Sequence, residues 1–323
     1  MSDILTLAEK QRKTLSATDA GNLENVVAAY GNMYENLQGD IDALILAIEK
    51  LENPTSAQVK ALPQYKRLMR RAEEELDRFT AYLETAIGTA SAAALVLGLS
   101  DSAALINLAD PNFSSLPGNA IKPLIEFLRA DGPLYARLKL ITDSTIDSVI
   151  QSIIDGVSSG FNPRKIASAI QDAFGGGLTD ALRNMRTVQI KAYQEATRAN
   201  YLASDGIVTG WVWFTNLAGD PCMSCISMHG TEHTLDETLD DHYNGECAML
   251  PLIPEFGNPV EQAGQAWFDS QPQERQIDLM GKSKYEAYKA GNFEFSALSN
   301  LQDNDVYGQM RTETSLKDLV PSD

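Results

Sequence analysis

The sequence is poor in the residues that most often carry chemistry. It holds three cysteines and three histidines in 323 residues. Three thiols, two of them in a single C-x-x-C, cannot build the disulfide framework of a small secreted domain, and a reducing cytoplasm during synthesis is the expected setting. Lysine and arginine are missing between Arg198 and Arg275, a span that carries twelve acids. Phosphate neutralisation needs clustered cations, which argues against a broad nucleic-acid surface there. Aromatic residues make up only 7%, and with Ala and Leu abundant this favours helices over an all-β fold. A long, purely apolar run is also lacking. The most apolar stretch, Ala86–Ala109, is rich in Ala, Ser and Gly and is interrupted by Asp101. It reads as a packed helix, with no membrane span expected. The first residues, MSDILTLAEKQRK, lack the basic start and apolar stretch of a signal peptide.

What is present is unevenly spread. Residues 1–160 carry a net charge of −7, residues 161–200 a net +3, and residues 201–323 a net −14. The acidic last third reads as a solvated surface, or as a face that docks on a basic protein partner.

The first third reads as a long helical hairpin. Leu23, Val26, Val27, Tyr30, Met33, Tyr34, Leu37, Ile41, Leu44, Ile45, Ile48 and Leu51 recur at three- and four-residue spacing. NPTSA (53–57) breaks the pattern, with Thr55 or Ser56 as the cap of the next helix. The stretch 109–119 is loop chemistry. Helices are expected to return over 120–160. Asn162 and Pro163 then read as the cap and first residue of another helix, Gly175–Gly177 as its end, and Thr179 as the cap of the next. From Gly206 the pattern changes. Ile207, Val208, Trp211, Val212, Trp213 and Phe214 are strand formers, and the spacing of the tryptophans puts both rings on one face. The fold class read from this pattern is mainly α with a small α+β part at the C-terminal end. Three regions are expected: a hairpin over 1–112, a helical core over 113–205 and a C-terminal α+β region over 206–323.

All six Cys and His residues lie between Gly219 and Cys247. Cys222 and Cys225 form C-x2-C, sixteen residues follow, and His242 and Cys247 form H-x4-C. The C-x2-C knuckle brings two thiolates to one ion, and Cys3His is a tetrahedral set suited to Zn2+. Such a set staples loops and leaves no open position for a substrate. His229 and His233 are spare, and either is an alternative to His242. HGTEH is not the H-E-x-x-H of zinc proteases. The rival reading of PCMSC is thiol–disulfide chemistry, which requires neither His242 nor Cys247.

These motifs stand in a fixed order. Arg186-Thr187 lies on a helix. Asp220, Cys222, Cys225 and His229-Gly230 follow, then His242 and Cys247. Leu279-Met280-Gly281, Tyr285, Tyr288 and Gly291 come next, and Ser315-Leu316-Lys317 closes the set. From about Val149 to Leu319 the chain resembles the phage minor head proteins of the Mu F-like head-morphogenesis family. One departure stands out: the family often has a cysteine where this chain has Gly245, so loss of Cys247 is expected to abolish the site. The resemblance implies a virion protein near the portal vertex, present in the host cytoplasm during assembly, with a structural role and no enzymatic activity. It implies contacts with portal, major capsid or scaffolding protein, and the N-terminal helices suit self-association or portal contact.

Two other functions are weighed against this one. A nucleotide-dependent transferase would use Arg186, Thr187 and Glu195. A DNA-binding accessory module would use Arg164, Lys165, Arg183, Arg186, Lys191 and Arg198. An Arg on a helix more often pairs with a neighbouring acid, and six cations on two helices are few, so weak or no direct nucleic-acid binding is expected.

Overall fold

A computed structural model describes residues 3–118 and 132–320. The expected helix over 120–131 lies outside the described residues. The protein is mainly α-helical, with a small α+β part toward the C-terminus. Among the described residues five helices come first: α1 (Asp3–Glu49), α2 (Ser56–Ala61), α3 (Pro63–Ile106), α4 (Pro133–Ser158) and α5 (Pro163–Leu202). The strands β1 (Gly210–Phe214), β2 (Glu232–His233) and β3 (Ala248–Leu252) form one antiparallel sheet in the order β2-β1-β3, with helix α6 (Met223–Met228) between β1 and β2. Helices α7 (Gly264–Ser270), α8 (Gln273–Met280) and α9 (Lys282–Lys289) precede the hairpin of β4 (Ser299–Asn304) and β5 (Gly308–Glu313), and α10 (Leu316–Leu319) follows it.

The compact units do not follow a linear division of the chain. One holds the described residues within Met1–Ala17, Ser91–Leu128 and Thr187–Asp323, the other those within Thr18–Ala90 and Arg129–Arg186. The three regions expected at 1–112, 113–205 and 206–323 are therefore interleaved, because α1, α3 and α5 each contribute residues to both units.

The second unit is helical. Val26, Tyr30, Met33, Leu37, Ile41, Leu44 and Ile48 form a buried stripe on α1 at four- and three-residue steps. Such a stripe stays on one face of a 3.6-residue helix, so burial and helix formation reinforce each other. Leu68, Leu76, Phe79 and Leu83 supply the matching face of α3, and Tyr30 meets Phe79 edge-on at 4.8 Å. The buried Asp40 is held by Arg67 at 2.6 Å and Arg71 at 3.4 Å. Thr55 caps α2 in a capping box with Gln58.

One expectation fails in this unit. Gly175–Gly177 does not end a helix, and Thr179 caps nothing: α5 runs unbroken from Pro163 to Leu202. Of the three glycines, Gly177 permits a close approach, while a Cβ at Gly175 or Gly176 would meet open space. A side chain at Gly177 would lie 2.4 Å from Thr145 Oγ1 and 2.7 Å from the Tyr30 hydroxyl. That hydroxyl donates to the Phe174 carbonyl at 2.7 Å, and the Thr179 hydroxyl donates back to the Gly175 carbonyl. Packing outweighs the cost of about 1 kcal/mol that each glycine imposes on a helix. The start of α5 matches the sequence, with the Lys165 N–H donating to Asn162 Oδ1 at 3.0 Å.

Helix α3 is long and apolar enough to cross a membrane by length and composition, and 56% of its most apolar window is buried within the protein. The core helix of a folded domain shows the same pattern.

The first unit is built around β1, all five residues of which are buried. Trp211 and Trp213 lie with ring centres 6.1 Å apart, packed among Tyr201, Leu105, Ile106 and Met249. The last turns of α5 tie to β3, since the Tyr201 hydroxyl donates to the Met249 carbonyl and Gln194 Nε2 to that of Cys247. A second cluster gathers Met223, Ile226, Phe268, Met280, Phe295 and Leu298. Helix α6 contributes to both clusters, which fixes the chain on either side of Cys225.

Candidate metal centre

The site forms where β1 ends. Thr215 follows the strand and makes three contacts. Its N–H donates to His229 Nδ1 at 3.0 Å, its hydroxyl donates to the Cys225 carbonyl at 2.9 Å, and the hydroxyl lies 3.4 Å from Cys247 Sγ. Cys222 caps the short helix α6, its sulfur accepting the Cys225 N–H at 3.4 Å. That local bond is the C-x2-C knuckle expected from the spacing. The chain returns through Asp241–Cys247, a loop that turns at Asn244 (φ 59°) and is closed by the Gly245 N–H on the His242 carbonyl.

His242 Nε2 lies 3.3 Å from Cys222 Sγ and 3.1 Å from Cys225 Sγ. Its Nδ1 lies 2.8 Å from the Tyr243 carbonyl, an acceptor only, which places a proton on Nδ1 and turns Nε2 to the sulfurs. The donors fall into two overlapping triads: Cys222, Cys225 and His242, and Cys225, Asp241 and Cys247, with the ligand atoms of each within 4.8 Å of one another. Cys225 and Cys247 are buried and Cys222 is half-buried.

The electrostatics fit a cation. The Cys225 thiol donates to Cys222 and, with the His242 imidazole, pulls the Cys222 thiol down to about 4. Donation to the Cys222 sulfur raises His242 to about 10, and Cys225 is raised by the same sharing of protons with Cys222 and Cys247. Without a metal, the cluster thus holds a thiolate among protons lent by a thiol and an imidazolium. A borderline or soft cation can replace those protons, because sulfurs and an imidazole are donors that such ions favour.

No family model, curated protein or solved structure matches this chain. The chemistry therefore rests on the chain's own residues.

Of the three histidines, His242 is the one brought to the thiols. His229 is buried, spends Nδ1 on the Thr215 N–H, and is pushed down to about 4 by burial, which keeps it neutral. His233 stacks on Trp211 at 4.2 Å and bonds to Thr231 and Glu237. The donor cluster is not sealed off by the surrounding protein. A recess of about 310 Å3 opens on the donors, bordered by Asn216, Asp220, Asn244 and Glu246. Small or turn-forming residues, Gly219, Pro221 and Gly245, also border it, and of the three cysteines Cys222 is the more exposed.

Asp241 is the residue that sequence reasoning missed. It is buried, its Oδ1 accepts the His242 N–H at 2.8 Å, and its Oδ2 accepts the Cys247 N–H at 2.9 Å. The available signal was an acid directly before the ligand histidine, hidden among twelve acids.

Most of the residues weighed for other chemistries have partners within the chain. Arg186 pairs with the buried Asp19 at 2.8 Å within the helical unit. In the other unit the Thr187 hydroxyl accepts the Asn244 N–H, and Glu195 pairs with Arg198. Arg183 pairs with Asp180, Lys165 lies over the Phe161 ring, and burial lowers the pKa of Lys191. Cations held by intrachain partners leave less charge for phosphate.

Proposed function

We propose that this protein is a structural component of a tailed-phage head, of the Mu F-like head-morphogenesis kind, and that its C-terminal part is stapled by one Zn2+ on Cys222, Cys225, His242 and Cys247. The observation that carries this reading is the convergence of the two Cys/His motifs, seventeen positions apart in sequence, on two donor triads that share Cys225. Zn2+ is the metal because three thiolates and a neutral imidazole form one of its tetrahedral structural sets. Bound there, it supplies cross-linking to a segment with little regular structure of its own. The residues hold the ion, and Thr215, Gln194 and Asp241 hold the residues.

The long helices serve as assembly surfaces toward portal, major capsid or scaffolding protein, or another copy of this chain. Val27, Leu46, Val96 and Leu140 are exposed apolar residues on those helices, consistent with such contacts. Mass spectrometry of purified proheads and virions tests the reading. The protein is expected in both or in proheads alone, and its absence from both contradicts the assignment.

A second reading is favoured by one observation. Cys222 is more exposed than Cys225 and lower in pKa, the asymmetry of a redox C-x-x-C. In that case the purified protein would lack stoichiometric metal, and Cys222 and Cys225 would form a disulfide reversibly with a dithiol partner. Metal content separates the two.

A further inference from the structure

We propose that Asp241 is the positioning residue of the metal centre, and that Gly245 lacks a side chain so that the Asp241 carboxylate can occupy its place. The inference rests on the metal reading above and adds a residue to it.

A buried carboxylate is expensive unless its lone pairs are filled. Asp241 is 2% exposed, and the one ion-pair contact it makes among the described residues is with the His242 imidazole at 3.8 Å. Its oxygens are filled almost entirely by the centre. One takes the His242 N–H and faces the Cys225 sulfur at 3.7 Å, and the other takes the Cys247 N–H. Asp241 therefore touches three of the four donor residues. It joins the two ends of the loop that carries His242 and Cys247, and so fixes the distance between those ligands before any ion arrives.

Gly245 is the steric counterpart. A Cβ built there falls 2.2 Å from the carboxylate carbon and from Oδ2. No real contact is that short, and the carboxylate has nowhere to retreat while it holds two backbone N–H groups. Any side chain at 245 therefore displaces Asp241. Outer partners of metal ligands typically alter metal affinity 10- to 100-fold.

The test is a double-mutant cycle on the full chain. Zn2+ affinity is measured by competition with a chromophoric chelator, and the Co2+-substituted spectrum is recorded at saturation. Asp241→Ala and Gly245→Ala are each expected to weaken Zn2+ binding by about 10- to 100-fold, with one ion still bound per chain. The Co2+ ligand-field and thiolate charge-transfer bands should stay unchanged, because the four donors are retained. In the Asp241→Ala background, Gly245→Ala should cause no further loss, since there is no carboxylate left to displace. Asp241→Asn keeps the shape and one acceptor, and an intermediate loss is expected; it serves if the alanine variant fails to fold. Affinities within twofold of wild type, or additive losses in the cycle, overturn the proposal. A Co2+ spectrum altered by Asp241→Asn overturns it too, since Asp241 would then be a ligand. If the unaltered protein binds no Zn2+, the metal reading itself falls and the proposal with it.

Discussion

The helical unit and the unit that carries the Cys/His cluster reach a fixed structure by different routes. In the first, helices long enough to carry seven buried positions on one face, Val26 to Ile48 on α1, pack against equally long partners. Fully buried side chains such as Leu37, Leu76 and Leu83 each contribute about 1.5–3 kcal/mol. In the second, the segment from Thr215 to Cys247 has only a six-residue helix and a two-residue strand. Its order comes from point contacts: the Thr215 hydroxyl, the Asp241 carboxylate and the Cys/His donors. A periodic core is redundant, so a single loss is shared among many neighbours. A knot of polar contacts is not redundant, and one missing donor should undo it.

That contrast can be broken most sharply at the thiols. Cys222→Ser or Cys247→Ser should abolish stoichiometric metal and, because metal-binding free energy is folding free energy, cost several kcal/mol in the unit that carries the cluster. Hydrogen exchange should show faster opening around 215–247 while the α1 and α3 amides of the helical unit keep their protection. Equal loosening in both units would break the comparison. In the other direction, Leu76→Ala removes a side chain with no exposure from the helical core. It should cost about 2–5 kcal/mol in denaturant unfolding and leave Zn2+ affinity unchanged.

A pH titration sharpens the comparison next. Burial holds His229 at about 4 in the folded chain, against about 6.5 when unfolded. The unfolded state binds more protons between those values, so stability is complete above the unfolded pKa and falls as pH drops toward 4. The loss is on the order of 2–3 kcal/mol. Compared with the unaltered protein, with metal content followed in parallel, His229→Gln should flatten this dependence. An unchanged slope would remove His229 as its source. The smallest effect is expected at an exposed cap of the helical unit: Thr55→Ala should cost about 1 kcal/mol in thermal or denaturant unfolding, without changing metal content.

The helical unit was largely legible in the sequence because periodicity is a local signal. The stripe on α1, the break at 53–57 and the Asn162-Pro163 start of α5 all follow from neighbours in the chain. Gly175–Gly177 was misread for the opposite reason. Thr145 and Tyr30, which meet Gly177, are distant in sequence, and only packing reveals that this glycine marks a close approach. In the unit with the Cys/His cluster the candidate donors could be picked out from spacing, and the tryptophans of β1 from strand chemistry. The choice among the histidines could not, since it depends on the Thr215 N–H capturing His229 and on Trp211 stacking with His233. Asp241 was hidden because one buried carboxylate looks the same in sequence as eleven others around it, and the recess because it depends on how two loops meet.

The central claim is that Cys222, Cys225, His242 and Cys247 act as one cation site. The most direct measurement is elemental mass spectrometry of the purified full-length protein beside Cys222→Ser. One zinc per chain in the first and none in the second is the predicted result. Metal at background level in the unaltered protein, or an equal amount in both, would contradict it.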